Sequence, residues 1–470
     1  MNEQNAARIS GNTAEDIATS IRLLIDAGEL KAGDSLPPVR TLAESLGVNR
    51  NTALTAYQTL VQAGLAETRR RAGTVIIDPF APGEEEGFAA NTALRDVGDG
   101  NPSPELLPDP ASVILSPSPR KLYGESTVDP GLAEWATEWI NEDQPREFQL
   151  SVAAGAVDAV ERLLAGALTQ GDTVALEDPC FLTSISTIRQ NGYRAVPVSM
   201  DAEGMQPESL RAALESGVRA VVCTPRAHNP TGASVTAERA SQLREVLSAY
   251  PNVLLIEDDH FALLASAPYA SIIGEHHRRW ALVRSLSKVL GPDMRTALIA
   301  SDPETAERLG ARISGGITWV SHHMQRIAHA MLTSPDTKKL IARARAHYLT
   351  QNARCIAQLS EFGLESTSRD GLNVWVNTHT NGAATLAALT RKGWIARDGG
   401  AFALDGGTNN GIDQHVRLTV HDLSESEMRQ LAQDLAESIG TPKTGRSTAN
   451  IKTSTTAPVP VERTHHDSDH

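Results

Sequence analysis

The sequence predicts an α/β protein in which a small helical module precedes a larger domain with a mostly parallel sheet and a smaller α+β lobe. The main observation is that apolar, strand-like runs alternate with helical stretches, as in βαβ units. These runs are TVAL at 173, AVVCT at 220, VLLIEDD at 253, ALVRS at 281 and ALIA at 297. Two later runs, NVWVN at 373 and VRLTV at 416, lie among helical stretches and indicate the smaller lobe. A length of 470 residues also exceeds that of one ordinary domain.

The distribution of charge separates the small module from the rest of the chain. The whole protein has a formal net charge of −14. From Leu36 to Ile77, however, five arginines face two glutamates, and five minus two leaves +3. This asymmetry indicates an anion-facing module attached to an acidic body.

Composition also indicates the cellular compartment of the protein. The chain has no long apolar run and its start lacks a signal-peptide pattern, so we expect a cytoplasmic protein. Its three cysteines, Cys180, Cys223 and Cys355, are far apart and form no CxxC pair. They are expected to be buried small side chains, with no disulfide and no metal site.

The first module has three helical patterns. An amphipathic face follows Thr13, a candidate N-cap. In LPPVRTLAESLGVNRNTALTAYQTLVQAGL, Gly47 can end one helix in a left-handed turn and Asn49 can cap the next. Two helices joined in this way predict a helix-turn-helix, and the following GLAETRRRAGTVII predicts a hairpin wing with a basic tip. The alternative is an ordinary helical bundle with a solvated arginine run.

Four segments are predicted from these patterns. Residues 1–78 form the winged helix-turn-helix, and 79–110, rich in Pro, Gly and acid, form a linker. Residues 111–440 form the large domain. Residues 441–470 form a polar tail that we expect to be disordered.

Four short motifs carry chemistry in the large domain. RAHNPTG places Asn229 at a strand-to-loop junction, and LLIEDDHF ends a strand in carboxylates that include Asp258. SLSKVLGPDMR places Lys288 after the next strand, where burial would favour a neutral, nucleophilic amine. VRLTV carries Arg417, which could hold a carboxylate with two hydrogen bonds. Each motif alone is weak, and the carboxylates could equally form a magnesium or structural site.

The order and spacing of these motifs resemble the fold-type I pyridoxal-phosphate aminotransferases over residues 95 to 440. Together with the first module, which resembles a GntR-type winged helix, the whole chain resembles the MocR-type regulators. The resemblance implies pyridoxal 5'-phosphate as cofactor and a homodimer with a shared site. It also implies double-stranded promoter DNA as partner, with a small amine or amino acid as a possible effector.

The resemblance also implies roles around the cofactor ring. Lys288 would form a Schiff base with its aldehyde, Asp258 would face the pyridine nitrogen, and Asn229 would hydrogen-bond the phenolic oxygen. Phe181 would stack on the ring. His260 departs from the pattern, because many relatives have a tyrosine there; imidazole can still donate one hydrogen bond, or the side chain can point elsewhere.

Other residues would bind the phosphate and the effector. The phosphate residues implied by the resemblance are Ser285, Ser287, Arg295, Gly155 and Ala156, with Tyr123 supplied by the partner subunit. Gly155 and Ala156 are expected to open a helix, which suits an anion. Arg417 would bind the α-carboxylate of an amino acid.

The GntR-type resemblance implies DNA contacts at two places. Arg40 opens one helix, and Asn49, Arg50 and Thr52 lie at the start of the recognition helix that enters the major groove. The wing tip comprises Arg69, Arg70, Arg71 and Gly73. Arg50 is the best candidate for base reading, whereas the wing arginines would mainly supply affinity.

Two functions from different classes fit this sequence. The first is a transcription regulator that senses pyridoxal phosphate, alone or joined to an amino compound, and controls genes of vitamin B6 or amino-acid metabolism. The second is a working aminotransferase with an accessory DNA-binding module. A third reading, in which the first helices mediate only protein contacts, is weakened by the arginine excess. We favour the regulator, since an enzyme gains nothing from an operator-reading helix.

Overall fold

The structure is a computed structural model that describes residues 8–69, 73–77, 86–89, 92–113, 115, 120–368, 370–404 and 410–439. The predicted tail, 441–470, lies outside these residues. The first module contains helices α1 (Ala14–Asp26), α2 (Val39–Leu46) and α3 (Arg50–Gln62), followed by strands β1 (Ala66–Arg69) and β2 (Gly73–Ile76). It has its own apolar core, centred on Ile17, Ile21, Leu42 and Leu60.

Local sequence signals set the ends of these helices as predicted. Thr13 caps α1 by accepting a hydrogen bond from the Asp16 amide, and Asn49 caps α3. Gly47 ends α2 with φ 66°, a left-handed conformation that glycine adopts without strain. Strands β1 and β2 pair antiparallel as a hairpin. The helix-turn-helix with a wing is therefore present.

An eight-stranded sheet forms the centre of the large domain. Its strands are β4 (Gln149–Ala153), β5 (Thr173–Asp178), β6 (Arg194–Asp201), β7 (Gly204–Met205), β8 (Ala220–Cys223), β9 (Leu254–Asp258), β10 (Trp280–Ser285) and β11 (Ala297–Ser301). The order is β4-β11-β10-β9-β8-β5-β6-β7. Neighbours from β10 through β6 are parallel, whereas β11 is antiparallel to both β10 and β4. The prediction of a mostly parallel sheet is confirmed.

Helices cover the sheet and build a core on each face. Alternate residues of one strand enter different cores: Leu255 belongs to one and Leu254 and Ile256 to the other. The helices are α4 (Pro130–Asn141), α5 (Ala156–Ala165), α6 (Leu182–Gln190), α7 (Pro207–Glu215), α8 (Ala237–Ser248), α9 (Ser287–Leu290), α10 (Pro303–Ser314) and α11 (His322–Thr333). Among the described residues, no helix is both long enough and apolar enough to cross a membrane.

The smaller lobe has its own sheet and core. The long helix α12 (Pro335–Glu361) leads into it, and an antiparallel sheet follows with the order β12-β13-β16-β15. Its elements are β12 (Glu365–Thr367), β13 (Asn373–Asn377), α13 (Gly382–Thr390), β14 (Trp394–Ile395), β15 (Arg397–Asp398), β16 (His415–Thr419) and α14 (Glu425–Ser438). This matches the expected α+β lobe. Cys180, Cys223 and Cys355 are free and buried, as predicted.

The described part of the predicted linker differs from that expectation. Strand β3 (Arg95–Asp96) pairs with β14, and Val97 is only 1% exposed. The Val97 carbonyl accepts a hydrogen bond from the Thr419 amide at 2.6 Å. Residues 95–100 are thus packed on the smaller lobe, because its strands β14 and β16 supply backbone partners that the composition of the segment does not reveal.

Candidate functional site

The strands bring five predicted site residues to one edge of the large sheet. Asp258 ends β9, and Lys288 lies just beyond β10. Asn229 and Phe181 follow β8 and β5, and Gly155 follows β4, which runs in the same direction as β10. Carboxyl ends of parallel strands form the usual ligand-binding edge of an α/β sheet.

Lys288 is held by a backbone carbonyl of the preceding segment. Its Nζ donates a hydrogen bond to the Gly100 oxygen at 2.8 Å. Burial lowers its pKa below the ordinary 10.5, and the Arg417 charge lowers it further, while Glu86 and Asp99 act in the opposite direction. The net effect is a larger share of the neutral amine than on a solvated lysine, as a nucleophile requires.

Asp258 presents an unsatisfied carboxylate oxygen. Its Oδ1 is buried and has no hydrogen-bond partner among the described residues. Burial, reinforced by Asp259, raises its pKa to about 7 from the ordinary 3.8. Such an oxygen is suited to accept a hydrogen bond from a ligand that carries a proton.

The two carboxylates beside Asp258 have structural partners instead. Asp259 pairs with Arg226 at 2.6 Å and with Arg284 at 3.1 Å. Glu257 accepts hydrogen bonds from the Tyr269 hydroxyl and from the Ile272 amide. Across the residues that the structure describes, no cluster of three or more His, Cys, Asp or Glu side chains could hold a metal ion.

A cradle forms where Arg295 meets the start of α5. Gly155 is the N-cap of α5 with φ 101°, and a Cβ added there would lie 3.1 Å from Arg295 Cζ. Ala156 is the first residue of the helix. Ser285 Oγ accepts a hydrogen bond from the Ser287 amide, whereas Ser287 Oγ is buried and unpaired within the described ranges. A guanidinium, a free hydroxyl and a helix N-terminus suit a phosphate group.

Phe181 and His260 also lie at the sheet edge that carries Asp258 and Lys288, and this edge with its side chains is called the cleft. Their rings are nearly parallel, at 14°, with centroids 6.5 Å apart. Burial, with the nearby Lys288 charge, lowers the pKa of His260 to about 4. The imidazole is therefore neutral near pH 7.

Arg417 binds a carboxylate from its own chain. Its guanidinium pairs with both oxygens of Glu86: Nη1 with Oε1, and Nη2 with Oε2 at 2.7 Å. Asn229 Nδ2 donates to Glu86 Oε1 at 2.8 Å, and Asn229 Oδ1 accepts from Arg417 Nη1 at 3.0 Å. Burial alone would raise the pKa of Glu86, but Arg417, Asn229 and Lys288 bring it below 4.5. The predicted clamp therefore holds an internal ligand.

The predicted DNA contacts of the helix-turn-helix lie on its surface. Arg50 is the first residue of α3 and is exposed, and Thr52, two residues further on, is partly exposed. Asn49 caps α3, because its Oδ1 accepts a hydrogen bond from the Asn51 amide at 2.8 Å. Arg40 pairs with Glu44 at 2.8 Å on the exposed face of α2.

The wing tip is described in part. Arg69 ends β1 and Gly73 begins β2, with φ 75°. Arg70 and Arg71 lie outside the described residues. The two described strands that flank the predicted basic tip pair antiparallel, with Arg69 opposite Gly73.

Comparisons with known proteins assign both parts of the chain. Residues 13–76 match the model of the bacterial regulatory proteins of the gntR family, and residues 86–435 match that of aminotransferase class I and II. Over 433 residues the chain is 44% identical to the vitamin B6 salvage pathway transcriptional repressor PtsJ of Salmonella typhimurium, covering 92% of this chain and 99% of PtsJ. It is also 25% identical to the probable rhizopine catabolism regulatory protein MocR of Rhizobium meliloti, over 61% of this chain and 65% of that protein.

The chain belongs to the MocR-type regulators. This regulator therefore combines a GntR helix-turn-helix with a fold-type I aminotransferase domain, as the sequence predicted. Its large domain is similar in fold to the kynurenine aminotransferase of Pyrococcus horikoshii (21% identity, TM-score 0.65, covering 74% of this chain and 91% of that one). LysN of Thermus thermophilus gives 20% identity and a TM-score of 0.63, over 74% of this chain and 92% of LysN.

The residues present fit pyridoxal 5'-phosphate, the cofactor of this family. Asp258 Oδ1 and Ser287 Oγ are buried atoms without partners in the part of the chain described, which a ring nitrogen and a phosphate would satisfy. Lys288 lies in the same cleft with a lowered pKa, and Arg295 lies against Gly155. The predicted cofactor and regulator class are confirmed.

Tyr123 of the MocR-type regulator is separate from this cleft. Its side chain is 86% exposed and meets the Trp319 ring edge-on at 5.3 Å. Leu122 beside it is 67% exposed. A single chain therefore does not bring Tyr123 to the phosphate cradle.

Sequence reasoning missed three residues of the site. Glu86 lies in a run of three glutamates that gave no signal beyond acidity. Glu177 and His228 are buried beneath the cleft, 3.5 Å apart between Oε2 and Nε2. Burial raises the pKa of Glu177 to about 8 and lowers that of His228 to about 3, so both are neutral near pH 7. The available hints were Glu177, the last residue but one of the TVALED strand, and the position of His228 beside Asn229 in RAHNPTG.

Proposed function

We propose that this regulator binds pyridoxal phosphate at Lys288 and converts its occupancy into a change of affinity for promoter DNA. The genes controlled would belong to vitamin B6 or amino-acid metabolism, as the name of PtsJ, 44% identical, suggests for the former. The observation that carries the proposal is the presence of Lys288 and the unsatisfied Asp258 at one sheet edge, in a chain that also presents Arg50 at a recognition-helix start.

The ring would be held by side chains that already have the required chemistry. Pyridoxal phosphate, when bound, supplies an aldehyde that reacts with primary amines and a pyridine ring that withdraws electrons. Lys288 would provide the amine, and Asp258 Oδ1 would accept a hydrogen bond from the protonated ring nitrogen. Phe181 would pack on the ring face, with neutral His260 opposite. Asn229 would reach the phenolic oxygen only by changing its hydrogen bond to Glu86.

The phosphate would lie in the cradle at the start of α5. Arg295 and the hydroxyls of Ser285 and Ser287 would supply charge and hydrogen bonds, and the helix N-terminus at Gly155 and Ala156 would favour the anion. We also propose a homodimer in which exposed Tyr123 reaches the cradle of the partner subunit. Its exposure beside Leu122 supports such a surface.

The DNA contacts are proposed on the same basis. Arg50, with Thr52, would read base edges in the major groove, while Arg40 would contact the phosphate backbone. Asn49 would fix the start of the recognition helix. The wing residues Arg69, Arg70, Arg71 and Gly73 would add phosphate or minor-groove contacts, so that affinity falls steeply with salt.

Coupling between site and module would pass through the chain that connects them. Lys288 holds the Gly100 carbonyl, and bonding to the aldehyde would change that hydrogen bond. A ligand shifts the arrangement of domains only when it binds one arrangement better than another. Residues 86–100 lie between the module and the site in sequence and therefore offer a direct route.

A catalytically active aminotransferase is the second candidate, because Lys288, Asp258 and Arg417 are all present. The pairing of Arg417 with Glu86 argues against it, since an amino-acid substrate needs that guanidinium. Steady transamination of a common amino acid at ordinary turnover rates would favour the enzyme.

The test is a titration of the purified full chain with pyridoxal phosphate, followed in parallel by visible absorbance and by binding to its own upstream DNA. We expect the visible band of the bound cofactor to develop together with a change in DNA affinity. Lys288→Ala should remove both responses, whereas Lys338→Ala, an exposed lysine, should keep them. If DNA affinity in Lys288→Ala still follows the cofactor normally, the coupling is wrong.

A further inference from the structure

Glu86 makes with Arg417 the contact that a free α-carboxylate would make. Both carboxylate oxygens meet the guanidinium, Oε2 at 2.7 Å from Nη2. The Arg417 side chain is 0% exposed and the Glu86 side chain 15%. Bidentate pairs of this kind are among the strong, geometrically specific hydrogen bonds in proteins.

Further groups complete the binding of the Glu86 carboxylate. Asn229 donates to Oε1 at 2.8 Å, and the Lys288 charge adds attraction. At Gly100, a Cβ would lie 2.3 Å from Glu86 Oε2, so only glycine leaves room for this carboxylate. The second nitrogen of Arg417 also donates to the Gly98 carbonyl at 2.6 Å. The position is therefore shaped around the glutamate.

The backbone beside Glu86 is anchored to the same region. The Gly87 amide donates to the Asp99 carbonyl at 2.8 Å, and the Ala89 amide donates to Asp96 Oδ2 at 2.8 Å. A ligand attached to the chain in this way competes with free ligands at a high effective concentration. Displacing it would also require another anion, because Arg417 would otherwise be left buried and unpaired.

We propose that Glu86 is a specificity-determining residue that fills the carboxylate position on Arg417, so that the site takes pyridoxal phosphate with amines lacking an α-carboxylate and rejects α-amino acids. This rests on the proposed function for the cofactor arm only. The occupation of Arg417 by Glu86 can be tested without cofactor.

The first arm uses cofactor-free protein and acetate as a simple carboxylate. Glu86→Gln keeps the shape of the side chain and removes its charge, so Arg417 loses its counter-ion and an added anion can displace the neutral glutamine. Acetate should raise the Tm of Glu86→Gln and leave the wild type and Glu105→Gln, an exposed glutamate, unchanged. If Glu86→Gln lowers the Tm, acetate should restore it. An equal response to acetate in all three proteins, or none in Glu86→Gln, would overturn the proposal.

The second arm compares ethylamine with L-alanine, which differs from it by the carboxylate, on cofactor-loaded protein. The change in the visible band gives the affinity for each amine. The wild type should show no preference for alanine, whereas Glu86→Gln should bind alanine about 10- to 100-fold more tightly than the wild type does. The proposed selectivity is contradicted if the wild type already binds alanine more tightly than ethylamine, or if Glu86→Gln does not gain affinity for alanine.

The two arms separate the two hypotheses. If neither protein develops a visible band, the proposed cofactor function fails, while the acetate arm still reports on Glu86 and Arg417. If the band forms and the acetate and alanine responses do not depend on residue 86, the role of Glu86 fails and the cofactor function stands.

Discussion

Asp258→Asn should change the stability of the cofactor-free protein in a pH-dependent way. Burial raises the Asp258 pKa to about 7, against 3.8 for the ordinary group. Between these values the unfolded chain releases a proton that the folded protein keeps, so stability falls as pH rises from ~4 to ~7 and stays lower above it. The difference is about three pKa units, and at ~1.36 kcal/mol per unit this gives an upper limit of ~4 kcal/mol.

Asparagine has the same shape and no charge, so it should remove the fall in stability between pH ~4 and ~7. At pH 8 cofactor-free Asp258→Asn should be more stable than the wild type, by up to ~4 kcal/mol, and near pH 4 the two should agree. Its affinity for pyridoxal phosphate should nevertheless fall, because the ring nitrogen loses its carboxylate partner. The substitution therefore acts in opposite directions on stability and on binding.

Urea unfolding at pH 5 and pH 8, followed by tryptophan fluorescence, measures the first effect. All six tryptophans lie beyond residue 111, so the signal reports the large domain alone. Asp336→Asn, whose side chain is 92% exposed, is the matched control and should behave as the wild type. A cofactor-free Asp258→Asn that is less stable than the wild type at pH 8, or that keeps the full pH dependence, would refute the reasoning.

Two further substitutions test the DNA face and the phosphate cradle. Arg50→Ala should weaken binding to the specific operator by ~1–3 kcal/mol while Arg22→Ala, on the exposed face of α1, leaves it unchanged; an unchanged footprint would remove Arg50 from the recognition surface. Gly155→Ala should weaken pyridoxal-phosphate binding, because φ 101° is strained for alanine and the new Cβ would press on Arg295 at 3.1 Å. Gly274→Ala, with no atom within 4 Å, is its control, and equal cofactor titrations for the two variants would contradict the cradle.

Much of the fold could be predicted because its signals are local. Thr13, Gly47 and Asn49 act within one helical turn of their own position, and each sets the end of a helix as expected. The parallel sheet followed from apolar runs that need no distant information. The packing of Val97 did not, because its partner Thr419 is supplied by a strand far along the chain.

The residues of the candidate site also divide into those with a local sequence signal and those that depend on distant parts of the chain. Lys288 and Asp258 stand in motifs whose order and spacing are informative. In the run Glu257, Asp258, Asp259, side chains alternate between faces, so the first and third turn to buried partners and only the second faces the cleft. Glu86 lies 331 positions from Arg417 in the sequence. Its selection from a run of three glutamates depends on the path of the chain in three dimensions, which the sequence motif does not reveal.

The hydrogen bond from Lys288 to Gly100 limits where the chain can be truncated without changing the site. A fragment that began at residue 111, the predicted start of the large domain, would lack both the carbonyl that receives Nζ and the glutamate that neutralises Arg417. Water and buffer anions would then enter the cleft, and Arg417 would become available to carboxylate ligands that Glu86 excludes in the intact chain. Ligand screens on the isolated large domain would thus select molecules that the intact regulator excludes.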